Sequence, residues 1–107
     1  MTDRLARALD RASAARLIPG NALRHIPDSV AALDAMLELI AGARRTVHFE
    51  NYIIRDDRTG RRFAAALAER ANSGVAVRVL YDAFGSIGTS RRFWRELRRA
   101  GVDVRAF

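Results

Sequence analysis

The sequence predicts an α/β domain with a small parallel sheet, helices on both faces of that sheet, and further helices at the amino terminus. Three observations predict it. Segments rich in β-branched and aromatic residues alternate with segments whose apolar residues recur every three or four positions. The resulting order is helix, helix, strand, helix, strand, helix, strand, which reads as successive right-handed crossovers. The second strand segment, Val75 to Asp82, is almost continuously apolar, as in a parallel strand covered on both sides. The 107 residues suffice for one small domain and not for two.

Residues 1–18 are helix-prone. Leu5, Leu9 and Ala12 share a face, with Arg4, Arg7 and Arg11 beside it. Three roles stay open for this segment: a helix packed on the domain, a frayed arm, or a basic amphipathic helix lying on an anionic bilayer. Pro19-Gly20-Asn21 ends the pattern, and residues 19–107 form the domain proper. Asp28 or Ser29 caps a helix reaching about Ala43, with Val30, Leu33, Leu37 and Ile40 as its core stripe and Met36 beside them.

Thr46 to Ile54 is the first strand. Val47, Phe49, Asn51 and Ile53 point one way, and His48, Glu50, Tyr52 and Ile54 the other. RDDRTG reads as a turn, and Arg61 to Ala71 as a helix with Phe63, Leu67 and Ala71 inward. Gly74 suits the left-handed position that follows a helix. After the second strand comes a loop, Gly85 to Thr89. Ser90 caps a helix that buries Phe93, Trp94 and Leu97, and Gly101 ends it. VDVRAF, Val102 to Phe107, is the third strand.

Composition narrows the function classes. Cysteine is absent, so there is no disulfide framework and no thiolate metal site. No apolar run approaches the roughly 20 residues of a membrane-spanning helix, and no signal-peptide core is seen. The expected location is cytoplasmic, or peripheral to the inner face of the plasma membrane. The net charge is +7 and lysine is absent, so every basic side chain of that class is arginine. Two causes of the arginine preference are open, a GC-rich coding bias, which is favoured, and a surface for phosphate or anionic lipid. Whatever its cause, the surface attracts polyanions, because the guanidinium fork matches phosphate geometry.

Ligands of open parallel sheets sit beyond the carboxyl ends of the strands. Here those ends hold Arg55 to Asp57 and Asp82 to Gly88. Asp82 has the chemistry of an acid, a metal ligand or a phosphoacceptor, and equally of a residue that caps its own loop. Gly85 and Gly88 allow backbone amides to approach an anion, although they match neither a P-loop nor a dinucleotide fingerprint. Glu50 lies mid-strand between apolar neighbours, where a carboxylate needs a partner. With His48 and Tyr52 it forms either a satisfied polar cluster beneath a helix or the wall of a polar pocket. Neither histidine has metal-ligand spacing, and no serine has a nucleophile-elbow context. No metal and no cofactor are expected.

Five motifs in order resemble the phospholipase D superfamily, and within it the amino-terminal half of bacterial cardiolipin synthases. They are Glu50-Asn51-Tyr52-Ile53, Asp57 with Gly60, Gly74-Val75-Ala76-Val77-Arg78, Asp82-Ala83-Phe84-Gly85-Ser86 and Ala100-Gly101-Val102. The resemblance spans roughly Gly20 to Phe107. It implies a fold of two similar α/β halves, each contributing one histidine-x-lysine-x4-aspartate motif to a shared site. One histidine attacks the phosphodiester and forms a phosphohistidine, and the other acts as acid and then base. The lysines hold the phosphate oxygens.

This sequence contains no such motif. It has no lysine, His25 is followed by Ile-Pro, and His48 by Phe-Glu. The resemblance implies that the motif would follow soon after Phe107. Residues 19–107 are thus expected to be an incomplete half-domain with no catalytic residue of its own and no activity alone. Glu50, Tyr52, Asp82, Gly85 and Ser86 are the supporting pocket candidates. Implied partners are an anionic phospholipid, phosphatidylglycerol, in the complete enzyme, together with the missing carboxyl-terminal half. Membrane-surface contact and a homodimer are further expectations. A phospholipase D-like nuclease, or a non-catalytic basic module for anionic lipid or nucleic acid, are the alternative readings. Nucleic acid is the less favoured partner, because Phe63, Phe93 and Trp94 read as core rather than as an exposed stacking platform.

Overall fold

The computed structural model describes residues 3–15 and 18–107. In chain order the elements are α1 (Asp3–Ser13), α2 (Ser29–Gly42), β1 (Thr46–Asn51), α3 (Arg58–Asn72), β2 (Ala76–Tyr81), α4 (Arg91–Arg99) and β3 (Asp103–Ala106). The three strands make one parallel sheet in the order β1-β2-β3. Thr46 lies opposite Ala76 and Asn51 opposite Tyr81, while Arg78 lies opposite Asp103 and Tyr81 opposite Ala106. The small parallel α/β sheet is the predicted class.

Helical cover is narrower than the expected two faces. Two crossovers of one hand, stepping the same way across a sheet, carry their helices over the same side. Val47, Val77, Val79 and Val104 are accordingly buried in the core shared with α3 and α4. His48, Glu50, Arg78, Asp103 and Arg105 alternate with them and are exposed on the other side. Among the described residues that second face is open. The near-continuous apolar run of β2 overstated its cover, because Arg78 sits on the open side between Ala76 and Leu80.

The core is built where the apolar spacing places it. α3 contributes Phe63 and Leu67, α4 contributes Phe93, Trp94 and Leu97, and α2 contributes Ile40 with Leu33 and Leu37 partly buried beside it. Val30 departs from the expected stripe, at 64% exposed, because the first turn of α2 runs beyond the edge of the core. The Tyr81 ring stacks on Trp94 with centroids 3.8 Å apart, and Phe93 meets Trp94 edge-on at 5.1 Å. The Tyr81–Trp94 stack fixes α4 against the end of β2, next to the loop that joins them.

The helix starts follow capping chemistry. Asp28, Asp57 and Ser90 accept from the amides of Ala31 (2.8 Å), Gly60 (2.8 Å) and Phe93 (3.2 Å). The Asp57 cap begins α3 at Arg58, three residues before the expected Arg61, so part of RDDRTG is helix rather than turn. Gly74 and Gly101 take φ of 86° and 91° as α3 and α4 end. α1 buries none of its residues, so it is not the helix packed on the domain that was one expectation. Met1, Thr2, Arg16 and Leu17, which belong to the expected 1–18 segment, lie outside the described residues. No helix among the described residues is long and apolar enough to cross a membrane.

Candidate functional site

The strands' carboxyl ends converge with the first turns of α3 and α4, and this edge holds most of the polar groups expected at a site. β1 leaves its ladder at Asn51, earlier than the expected Ile54. Beyond that point its backbone pairs with the β2–α4 loop instead. The Ser86 hydroxyl accepts from the Ile54 amide at 3.0 Å and donates to the Tyr52 carbonyl at 3.3 Å. The Thr89 hydroxyl donates to the Ile54 carbonyl. Ser86 is 4% exposed, the one buried polar residue among those described.

The loop is also tied to itself. Asp82 accepts from the Gly85 amide through Oδ1 at 2.7 Å and from the Ser86 amide through its carbonyl at 3.0 Å. Of the roles open to Asp82, the structure shows the loop cap. Gly85 lacks a side chain for a steric reason. A Cβ there would sit 2.5 Å from the Tyr52 carbonyl oxygen and 3.0 Å from the Tyr52 ring. Gly85 and Ser86 are therefore the seam between two strand ends.

Glu50, Tyr52 and Asp82 border one shallow depression with Tyr81 and Phe107, on the open side of the carboxyl edge. The expected polar cluster is thus brought together in part. Glu50 is exposed and no helix covers it, so it is not a satisfied group beneath a helix. His48 lies further from the edge, with Arg78 Nη1 3.4 Å from its Nε2. The two sit with Glu50, Asp103 and Arg105 along a second, open furrow.

An ionic network at the head of α3 and α4 was not singled out in the sequence. Asp56 accepts from the Ser90 hydroxyl at 3.0 Å, and Arg61 Nε stands 2.6 Å from its other oxygen. Arg61 also reaches Glu96 at 3.5 Å, and Glu96 accepts from Arg92 at 2.7 Å. The Arg92 hydrogen bond holds the Glu96 carboxyl below its ordinary range, with Arg92 and Arg61 charge adding to it against partial desolvation and Asp56 repulsion. The signal was present in the i, i+4 spacing of Arg92 and Glu96. The Asp56–Arg61 partnership needs the fold. Among the described residues, no three His, Cys, Asp or Glu side chains gather closely enough to hold a metal ion.

No family model matches the chain. Curated relatives do. Over 80 residues, three quarters of the chain, it is 44% identical to the cardiolipin synthase of Oceanobacillus iheyensis. Over 101 residues, 94% of the chain, it is 38% identical to cardiolipin synthase A of Pseudomonas fluorescens. Over 87 residues it is 37% identical to the major cardiolipin synthase of Bacillus subtilis. The matched segments span 17%, 21% and 18% of those proteins' own lengths.

Among solved structures, the polyphosphate kinase of Porphyromonas gingivalis matches 87% of the chain and 17% of its own, with a TM-score of 0.52 and 17% identity. At that identity the likeness speaks for the α/β fold alone. Taken with the parallel sheet and its motif-bearing carboxyl edge, the sequence identities make this chain cardiolipin synthase-like, similar to one segment of much longer relatives.

Proposed function

We propose that this chain forms the amino-terminal floor and rim of a phosphatidyl-transfer site and performs no transfer by itself. The observation that carries the reading is the 38% identity to a cardiolipin synthase across 94% of the chain, an extent that takes in the loops after β1 and β2. In the complete enzyme the group moved is phosphatidyl, from one phosphatidylglycerol to another, by way of a phosphohistidine. The histidine, its acid partner and the lysines that hold the phosphate come from motifs outside these 107 residues, since the sequence has no lysine.

The roles left to this chain are supporting ones. Ser86 and Gly85 fix the distance between the ends of β1 and β2. Asp82 sets the shape of the loop between β2 and α4. Glu50 and Tyr52 supply a carboxylate and a phenol at the mouth of the depression, where a headgroup's hydroxyls can be hydrogen-bonded.

The test is a chimera in which residues 20–107 replace the matching segment of the Pseudomonas fluorescens enzyme. The expected result is cardiolipin made from phosphatidylglycerol by the chimera and none by the 107-residue chain. A folded chimera that makes no cardiolipin overturns the reading of the segment. Transfer by the short chain overturns its dependence on the missing motifs.

A further inference from the structure

The β2–α4 loop holds two large apolar side chains in solvent. Phe84 is 78% exposed and Ile87 is 80% exposed. They belong to one turn, closed by the Ile87 amide donating to the Phe84 carbonyl at 3.3 Å. The turn is not free to fold them inward. Asp82 takes the Gly85 and Ser86 amides, the Thr89 amide donates to the Ser86 carbonyl at 2.9 Å, and the Ser86 hydroxyl anchors the loop to Ile54. Preorganised exposure of this kind marks a contact surface rather than a stray apolar residue.

Charge around the loop says what the surface contacts. The loops that follow β1 and β2 carry three carboxylates, and each is engaged by a nearby amide, hydroxyl or guanidinium, while Glu50 stands exposed at the depression beside them. Asp82 holds the Gly85 amide, Asp57 the Gly60 amide, and Asp56 both Ser90 and Arg61. Arg61 and Arg92 are paired with Asp56 and Glu96, but three other arginines of this edge are not. Arg55, Arg58 and Arg91 are exposed and make no ion pair among the described residues. Arg55 lines the same hollow as Gly85 and Gly88, and Arg58 and Arg91 are the first residues of α3 and α4. An apolar turn on an edge that also carries three exposed guanidinium groups without an ion pair fits the boundary of an anionic bilayer. Phe84 and Ile87 enter the acyl region, and the arginines meet lipid phosphates.

We infer that the Phe84–Ile87 turn is a bilayer-contact wedge, seated by Arg55, Arg58 and Arg91, which docks this edge of the domain on anionic lipid. The inference deepens the phosphatidyl-transfer reading, since it brings the depression at Glu50 and Tyr52 to the headgroup layer. It does not depend on catalysis for its test.

The probe is the 107-residue chain with vesicles of phosphatidylcholine alone or mixed equally with phosphatidylglycerol. Binding is expected to the mixed vesicles. Phe84→Ser with Ile87→Ser should weaken it about tenfold or more. Arg55→Gln, Arg58→Gln and Arg91→Gln together should remove the preference for anionic vesicles, and high salt should do the same. A Phe84→Trp variant should be quenched by brominated acyl chains, while Trp94, 5% exposed in the core, is not and reports that the fold is retained.

Unchanged binding by the folded serine variant, or no quenching of Phe84→Trp, overturns the inference. So does self-association in the absence of lipid that the serine substitutions abolish, which would assign the turn to a second copy. Failure of the chimera to make cardiolipin would defeat the functional reading and leave these vesicle results standing.

Discussion

The Ser86 hydroxyl takes the Ile54 amide at 3.0 Å, across 32 positions of sequence, at a point where neither residue belongs to the sheet ladder. This bond continues the pairing of β1 and β2 after the backbone register has ended. Both residues are buried, so the amide has no water to turn to. Ser86→Ala should lower stability by about 1–3 kcal/mol, the range for a buried donor left unsatisfied. Chemical denaturation of the two proteins checks it. An unchanged midpoint would mean that the loop is not held through this hydroxyl.

Three glycines near the site should respond differently to alanine. A Cβ at Gly60 would overlap the Arg55 carbonyl, and one at Gly85 would lie 2.5 Å from the Tyr52 carbonyl oxygen. Both obstacles are backbone, which cannot rotate aside. Nothing lies within 4 Å of a Cβ at Gly88, and its φ is not in the left-handed region. Gly60→Ala and Gly85→Ala should each cost about 1–3 kcal/mol, in the range of an overpacked site. Gly88→Ala should be neutral or slightly stabilising. Thermal melts of the three variants would show whether close approach, rather than backbone flexibility, is what these glycines serve.

Much of this arrangement was legible in the sequence because it is local. Asp28, Asp57 and Ser90 stand where caps are needed, and Phe63, Leu67, Phe93, Trp94 and Leu97 recur at helical spacing. The open sheet face was not legible. Arg78 and Glu50 alternate with valine and phenylalanine whether or not a helix lies over them, and which side the crossovers take is a property of the assembled sheet. The same holds at the site. The motif Asp82 to Ser86 pointed to the correct loop. That Ser86 reaches Ile54, and that Asp82 spends an oxygen on Gly85, depend on how close the two strand ends come.

Three surface carboxyls should contribute a small, salt-sensitive part of the acid side of the stability profile. Hydrogen bonds from Arg70, Arg92 and Arg105 hold Glu69, Glu96 and Asp103 below their ordinary values. A carboxyl whose folded pKa is depressed adds stability above its unfolded pKa, about 4 for these side chains, and loses it as pH falls through the folded value. The melting temperature should thus be level with respect to these groups above about pH 5 and fall below about pH 4. All three pairs are solvent-exposed, so added salt should flatten the fall. Melts from pH 3 to 7 at low and high salt test this. A decline beginning near neutral pH would assign the acid sensitivity to other groups.

The sheet's two outer strands should make the isolated chain associate with itself. β1 and β3 each pair only with β2, which leaves the far edge of both without a strand partner among the described residues. Unpaired edges template further pairing unless a charge or a cover blocks them. The open face is guarded by His48, Glu50, Arg78, Asp103 and Arg105, which discourages stacking of one sheet face on another but does nothing for the backbone groups at the edges. Edge-to-edge pairing through Thr46–Asn51 or Asp103–Ala106 is the association this surface favours. Sedimentation across a hundredfold range of concentration should show a reversible shift above the 11.9 kDa monomer. A proline at His48 removes one edge amide and should reduce that shift if β1 is the edge used, whereas Phe84→Ser and Ile87→Ser should leave it unchanged. A monomer at every concentration, with a melting temperature independent of concentration, would show that the edges are protected as they stand.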